Sequence, residues 1–138
     1  MRLVLDTNVV VSAMLWEGTP RLLLRAAREK RIDLFTSIPI LAELSDILSR
    51  RKFELKISAS ALTIDQIVED YAALAALVRP IATARIARDP DDDVVIGTAL
   101  AAQADVIVTG DTVFQGAEEL LDPAGGGVVS FGEVVSAP

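Results

Sequence analysis

The chain contains no cysteine and no histidine. Those two absences exclude disulfide frameworks, Cys/His zinc sites, thiol nucleophiles, Ser-His-Asp triads and every nuclease built on an imidazole base. Any catalysis must therefore come from carboxylates, hydroxyls, lysine or arginine. Aromatic residues are scarce, with one Trp, one Tyr and four Phe, which argues against recognition of single strands by extensive base stacking. Trp16, beside the Gly18-Thr19-Pro20 turn, could stack one base, although packing or a dimer contact is the plainer reading. No stretch approaches the roughly 20 apolar residues that a membrane span requires. Neither a signal peptide nor a membrane helix is expected, and a soluble cytoplasmic protein is.

Basic residues are missing from the last third. Residues 1–88 hold all 13 Lys and Arg against 10 acids, whereas residues 89–138 hold 10 acids and no base, so the formal net charge of -7 conceals a lopsided molecule. What is present is ordinary for a globular domain: 51% hydrophobic and 24% charged residues in 138. That length suits one domain, residues 1–138, with one core and one site to find.

Apolar runs and helical patterns alternate along it. Arg2 to Asp6 reads as a buried strand ending in a carboxylate, with a helix from Thr7 to Leu15. After the break at residues 18–20, Leu22, Leu23, Ala26 and Ala27 recur at helical spacing, flanked by Arg21, Arg25, Arg28 and Lys30. A strand at residues 34–36 leads through Ser37 and Pro39 into a third helix reaching about Lys52. The spacing predicts a helix over residues 63–78, stopped by Arg79-Pro80. Asp89-Pro90 marks the start of another, running to Gln103. A strand at residues 105–109, a last strand at residues 128–130 after a turn at 124–127, and a short helix near residues 132–135 complete the pattern. Buried strands separated by helices indicate an α/β fold, a three-layer α/β/α arrangement around a central, mostly parallel sheet.

In such sheets ligands bind beyond the carboxyl ends of the strands. Asp6 and Asp111 both follow short apolar strands, Asp6 with Thr7 and Asn8 beside it and Asp111 with Thr109. A cap on the next helix is the ordinary explanation for either aspartate alone. Glu43 sits at the edge of an apolar helical stripe, between Ile40 and Ile47, where it is either a salt-bridged boundary residue or a ligand. Residues 89–93 hold four acids in five positions, most of them explained by the favourable helix dipole. Asp92 differs, because its row continues through Val95, Ile96 and Ala99 and turns it toward the apolar side. Carboxylates buried together need neutralising, and no base follows Arg88. A cation is the economical solution, and oxygen-only ligands select Mg²⁺ or Mn²⁺.

Leu5-Asp6-Thr7-Asn8-Val9, Glu43 within residues 41–44, the run at residues 89–93 and Val108-Thr109-Gly110-Asp111 together resemble the four motifs of PIN-domain ribonucleases, in order over residues 3–111. The likeness is closest to the bacterial toxin branch, the VapC-like toxins. The resemblance implies that Asp6, Glu43, Asp92 and Asp111 form an acidic metal site, with Asn8 and Thr109 as polar supports and Asp93 as a possible sharer of the role of Asp92. It implies an Mg²⁺- or Mn²⁺-dependent endoribonuclease, a cognate antitoxin and a homodimer. Two basic clusters, Arg21 to Arg31 and Arg50-Arg51-Lys52 with Lys56, could border the site and receive phosphate, or simply be the solvated sides of helices. The chain departs from the family after Asp111, where residues 112–114 lack the second acid many relatives carry, which leaves one metal or two undecided.

Two other readings stay open. A catalytically weak PIN-like fold could serve as an RNA- or protein-binding module. A haloacid-dehalogenase-type phosphatase would use Asp6 as nucleophile, but Asn8 stands where its second acid belongs and no Lys follows Lys56.

Overall fold

The computed structural model describes residues 1–17, 19–82, 90–109 and 127–129. The elements, in chain order, are β1 (Arg2–Leu5), α1 (Thr7–Leu15), α2 (Thr19–Arg28), β2 (Asp33–Thr36), α3 (Ile38–Leu48), a 3-10 turn (Arg51–Phe53), α4 (Glu54–Ser60), α5 (Ile64–Leu74), β3 (Ala75–Leu77), α6 (Pro90–Ala102), β4 (Val106–Val108) and β5 (Gly127–Val129). The strands form one sheet in the order β3-β2-β1-β4-β5, and every neighbouring pair is parallel. This is the expected α/β architecture.

Side-chain alternation along the strands assigns the layers. Leu3 and Leu5 of β1, Leu34 of β2 and Val108 of β4 pack on one face with α1, α2, α3 and α5. Val4, Phe35 and Ile107, the intervening residues, pack on the other with Val95, Ile96 and Ala99 of α6. Both faces are covered, which is why the strands are apolar throughout rather than alternating with polar residues.

Helix ends are tied down by specific groups. Arg21 donates from Nε to the Ala13 carbonyl (3.2 Å) and from Nη2 to the Met14 carbonyl (3.1 Å), so a cation from α2 closes the carboxyl end of α1. Thr63 and Gln66 form a reciprocal capping box at the start of α5. Lys30 and Gln103 adopt left-handed backbone, φ 59° and 51°. At each, paired bonds of the Schellman type reach back into the last turn: Lys30 N–H to Ala27 O with Arg31 N–H to Ala26 O, and Gln103 N–H to Leu100 O with Ala104 N–H to Ala99 O.

Three expectations are corrected. The helix predicted over residues 63–78 ends at Leu74, and Ala75–Leu77 instead pairs with Leu34–Thr36 as an edge strand. These residues are compatible with a helix in isolation; the unsatisfied edge of β2 decides their conformation. The third helix ends at Leu48 rather than near Lys52, with Ser49 as its cap and a 3-10 turn beyond. The last strand includes Gly127, read from sequence as part of a turn, paired with Val106. Ser130, the helix near residues 132–135 and the start signal at Asp89 lie outside the described residues. Among those described, no helix is long and apolar enough to cross a membrane.

Candidate active site

The strand order reverses between β1 and β4, because the chain leaves β1 for β2 on one side and returns to β4 on the other. The crevice beyond the carboxyl ends of those two strands is where a parallel sheet presents a ligand site. Asp6 and Thr109, the residues following β1 and β4, meet there.

Asp6 continues the ladder, its N–H donating to the Val108 carbonyl (2.9 Å), and its own carbonyl accepts from Val9 and Val10 to open α1. It holds the N-cap position, yet its side chain makes no capping bond. The carboxylate accepts instead from Thr109 Oγ1 at 2.9 Å, a partner 103 residues away. Both residues are buried, Asp6 at 6% and Thr109 at 3% exposure. Helix capping, the ordinary explanation for an aspartate here, is therefore not what this side chain does.

Thr7, fully buried, donates from Oγ1 to Glu43 Oε2 at 3.0 Å. Glu43 is half-buried in α3, and this bond brings its carboxylate to the corner that Asp6 begins. Asn8, the next residue, is exposed on α1.

A second buried polar pair ties the start of α3, just after β2, to α6. Thr98 of α6 donates to the Val94 carbonyl (2.8 Å), so Ser37, just after β2, donates to Thr98 Oγ1 at 2.8 Å. Ser37 occupies the N-cap of α3 without capping it by side chain. Sequence reading missed Thr7 as the holder of Glu43, took Ser37 only as the start of the third helix, and did not foresee its bond to Thr98. The available signal was the small hydroxyl residue after each of the first two strands.

α6 begins at Pro90, so Asp92 stands in its first turn. Val95, Ile96 and Ala99, the row that suggested an inward Asp92, are buried as that row requires. The side chain of Asp92, and Asp111 entirely, lie outside the described residues; Asp93 is half-buried. Asp6 and Glu43 are both brought to this corner, and among the described residues no group of three or more possible metal ligands assembles.

The basic clusters are not equivalent. Arg28, Lys30 and Arg31 lead into Asp33, whose β-partner is Arg2, so they stand where the strands begin, at the end of the sheet opposite Asp6. A groove of about 510 Å³ lined by Arg28, Lys30, Asp33 and Ala76 belongs to that far end, and the acids are not part of it. Arg21 is engaged with α1. The cluster of Arg50, Arg51, Lys52 and Lys56 is exposed, with Lys56 Nζ 5.4 Å from the Trp16 ring centre and Lys52 Nζ 5.1 Å from that of Phe53.

Fold and corner together define a parallel α/β protein with a buried, hydroxyl-held carboxylate at its switch point. The PIN domain family profile matches residues 2–113, and the chain belongs to the PIN-domain family. It is similar to a solved structure described as VapBC2 from Rickettsia felis bound to a DNA fragment from their promoter, with a TM-score of 0.62 and 17% identity over 94% of this chain and 98% of that one. At that identity the likeness is one of fold. No curated protein sequence matches the chain.

Proposed function

We propose that the chain is a metal-dependent endoribonuclease and the toxin of a toxin–antitoxin pair. The observation that carries this reading is the Asp6 carboxylate, turned away from its own helix and held by Thr109 at the switch point, with Glu43 held beside it by Thr7. Two carboxylates brought together beyond the carboxyl ends of a parallel sheet, where such folds bind ligands, are the arrangement from which we infer a cation site.

The donor set fits a hard divalent ion. Asp6 and Glu43 offer oxygen only, and Asp92 and Asp111, the further ligands we propose, would add two more carboxylates without nitrogen or sulfur, a set suited to Mg²⁺ or Mn²⁺. When bound, such an ion supplies a more acidic water and offsets charge developing on the phosphate. The chain's own residues supply orientation. Thr109 fixes the plane of the Asp6 carboxylate and Thr7 that of Glu43, so both acids keep their positions as substrate arrives. In-line attack of water on phosphorus then breaks the phosphodiester bond without a side-chain nucleophile.

The fold shared with a structure described as VapBC2 supports an antitoxin partner for this chain, and we extend the reading to a homodimer acting on RNA in the cytoplasm. Light scattering that gives 14.7 kDa throughout the micromolar range would exclude the dimer. The nuclease itself is tested by incubating purified, partner-free protein with structured and single-stranded RNAs in Mg²⁺, Mn²⁺ or EDTA, beside an Asp6→Asn/Asp92→Asn double variant. Cleavage abolished by both EDTA and the double substitution is the expected result. Cleavage indifferent to either refutes the carboxylate-metal mechanism.

A further inference from the structure

We propose that the solvent-facing stripe of α1, together with Lys52 and Lys56, is a track for single-stranded RNA that ends with a base stacked on Trp16. The proposal deepens the nuclease reading and rests on it for its substrate. Thr7, Val9, Val10, Val11, Ala13 and Leu15 of α1 are buried, and Met14 packs against the core. Asn8 is exposed, Ser12 is half-buried and Trp16, the cap residue, is 41% exposed. These three are spaced by four residues and share one face. That face starts beside Asp6 and ends at Trp16, ten residues and about 15 Å along the helix at 1.5 Å per residue. A stacked strand rising roughly 3.4 Å per nucleotide covers it in about four nucleotides.

The far end is built for a base rather than merely exposed. Phe53 meets the Trp16 ring edge-on, 72° between planes and 6.0 Å between centres, which sets the orientation of the indole. Lys56 lies over Trp16 and Lys52 over Phe53. The carboxyl end of α1, which would repel phosphate, is closed by the guanidinium of Arg21. Arg50, Arg51, Lys52 and Lys56 outnumber the exposed acids nearby in sequence, Glu17, Asp46 and Glu54, on a chain whose net charge is -7. An aromatic face set among cations is how sequence-tolerant single-strand sites are made. Trp16 is thus a positioning residue that fixes which nucleotide reaches the acidic corner.

Trp16 is the sole tryptophan, so its emission reports the track directly. Asp6→Asn protein in Mg²⁺ is titrated with unlabelled RNA of about ten nucleotides, long enough at roughly 3.4 Å per nucleotide to span the track. Quenching of Trp16 that saturates with binding is expected. By polarisation of a labelled oligonucleotide, Trp16→Ala should weaken binding roughly tenfold or more while Trp16→Phe restores most of it. Lys52→Ala/Lys56→Ala should reduce the salt slope by about 1.4. In the active protein Trp16→Ala should raise KM with kcat nearly unchanged. Emission indifferent to bound RNA, or equal affinity of Trp16→Ala and wild type, overturns the track even if cleavage is observed. Emission shifted only by a partner protein, and not by RNA, overturns it too. Quenching without cleavage by wild type would retain the track and reject the nuclease.

Discussion

Gly97 offers a test in which two opposed effects have different signs. It lies within α6, where glycine costs about 1 kcal/mol relative to alanine, so Gly97→Ala would stabilise an isolated helix by that amount. In the folded chain a Cβ at residue 97 would stand 2.4 Å from the Ile81 carbonyl oxygen and 3.5 Å from Pro80 Cβ. The Ile81 N–H donates to the Gly97 carbonyl at 3.0 Å, so the segment cannot withdraw without weakening a hydrogen bond worth about 1 kcal/mol. Retreat by about 0.6 Å is needed to reach a contact of even 3.0 Å. Overpacking of this kind costs about 1–3 kcal/mol, and with the hydrogen bond it outweighs the gain in propensity. We expect a net loss of about 1–3 kcal/mol. For a chain of this size that is a fall in Tm of roughly 4–12 °C, taking about 4 °C per kcal/mol. Calorimetry and urea unfolding with an unchanged m-value provide the assay. A Tm equal to or above that of wild type would refute the close approach of residues 80–81 to α6.

Other outcomes follow from single contacts. Saturating Mn²⁺ should raise the Tm of wild type, by about 2.7 kcal/mol of stability at a hundred times Kd, and the shift should vanish in EDTA and in Asp6→Asn. Thr109→Val removes the hydroxyl that holds Asp6 and should cost about 1.5–3 kcal/mol, read by denaturant unfolding, with weaker Mn²⁺ stabilisation. Tyr71 is fully buried, with its hydroxyl unpartnered among the described residues, so Tyr71→Phe should be neutral or stabilise by up to about 2 kcal/mol. Burial also pushes the Tyr71 phenol up. The folded state then keeps its proton while the unfolded chain loses it near pH 10, and this contribution to stability declines above roughly pH 10. Absorbance titration of this sole tyrosine should show no ionisation until the chain unfolds, and Tyr71→Phe should flatten the alkaline loss. Gln103→Gly should stabilise by up to about 1 kcal/mol, because a non-glycine residue holds a left-handed position there.

The sequence made legible whatever depends on short periodic patterns. β1 and α1 are where the apolar run and the helical spacing placed them, and Asp6 is at their junction, because a strand buried on both faces leaves a run that a polar corner interrupts. β3 was not legible: Ala75 and Ala76 suit a helix as well as a strand, and only β2 decides. α4 buries none of its residues, so it has no stripe to read. For the site, spacing could nominate Asp6 and Glu43 but could not separate ligand from cap or boundary residue. That distinction rests on bonds across 103 and 36 positions, Asp6 with Thr109 and Glu43 with Thr7. The Ser37–Thr98 bond was invisible for the same reason: it spans 61 positions, and Ser37 at a helix start and Thr98 within a helix are each unremarkable alone.

The proposed ligands are divided between the two faces of the sheet. Asp6 opens α1 and Glu43 sits in α3, helices that pack with each other and with Leu3, Leu5 and Leu34 on one face. Asp92 rides on α6, which packs with Val4 and Ile107 on the other. A transient detachment of α6 would disperse the proposed acidic site while most of the fold stays intact, so that loss of activity on warming should precede loss of helix signal.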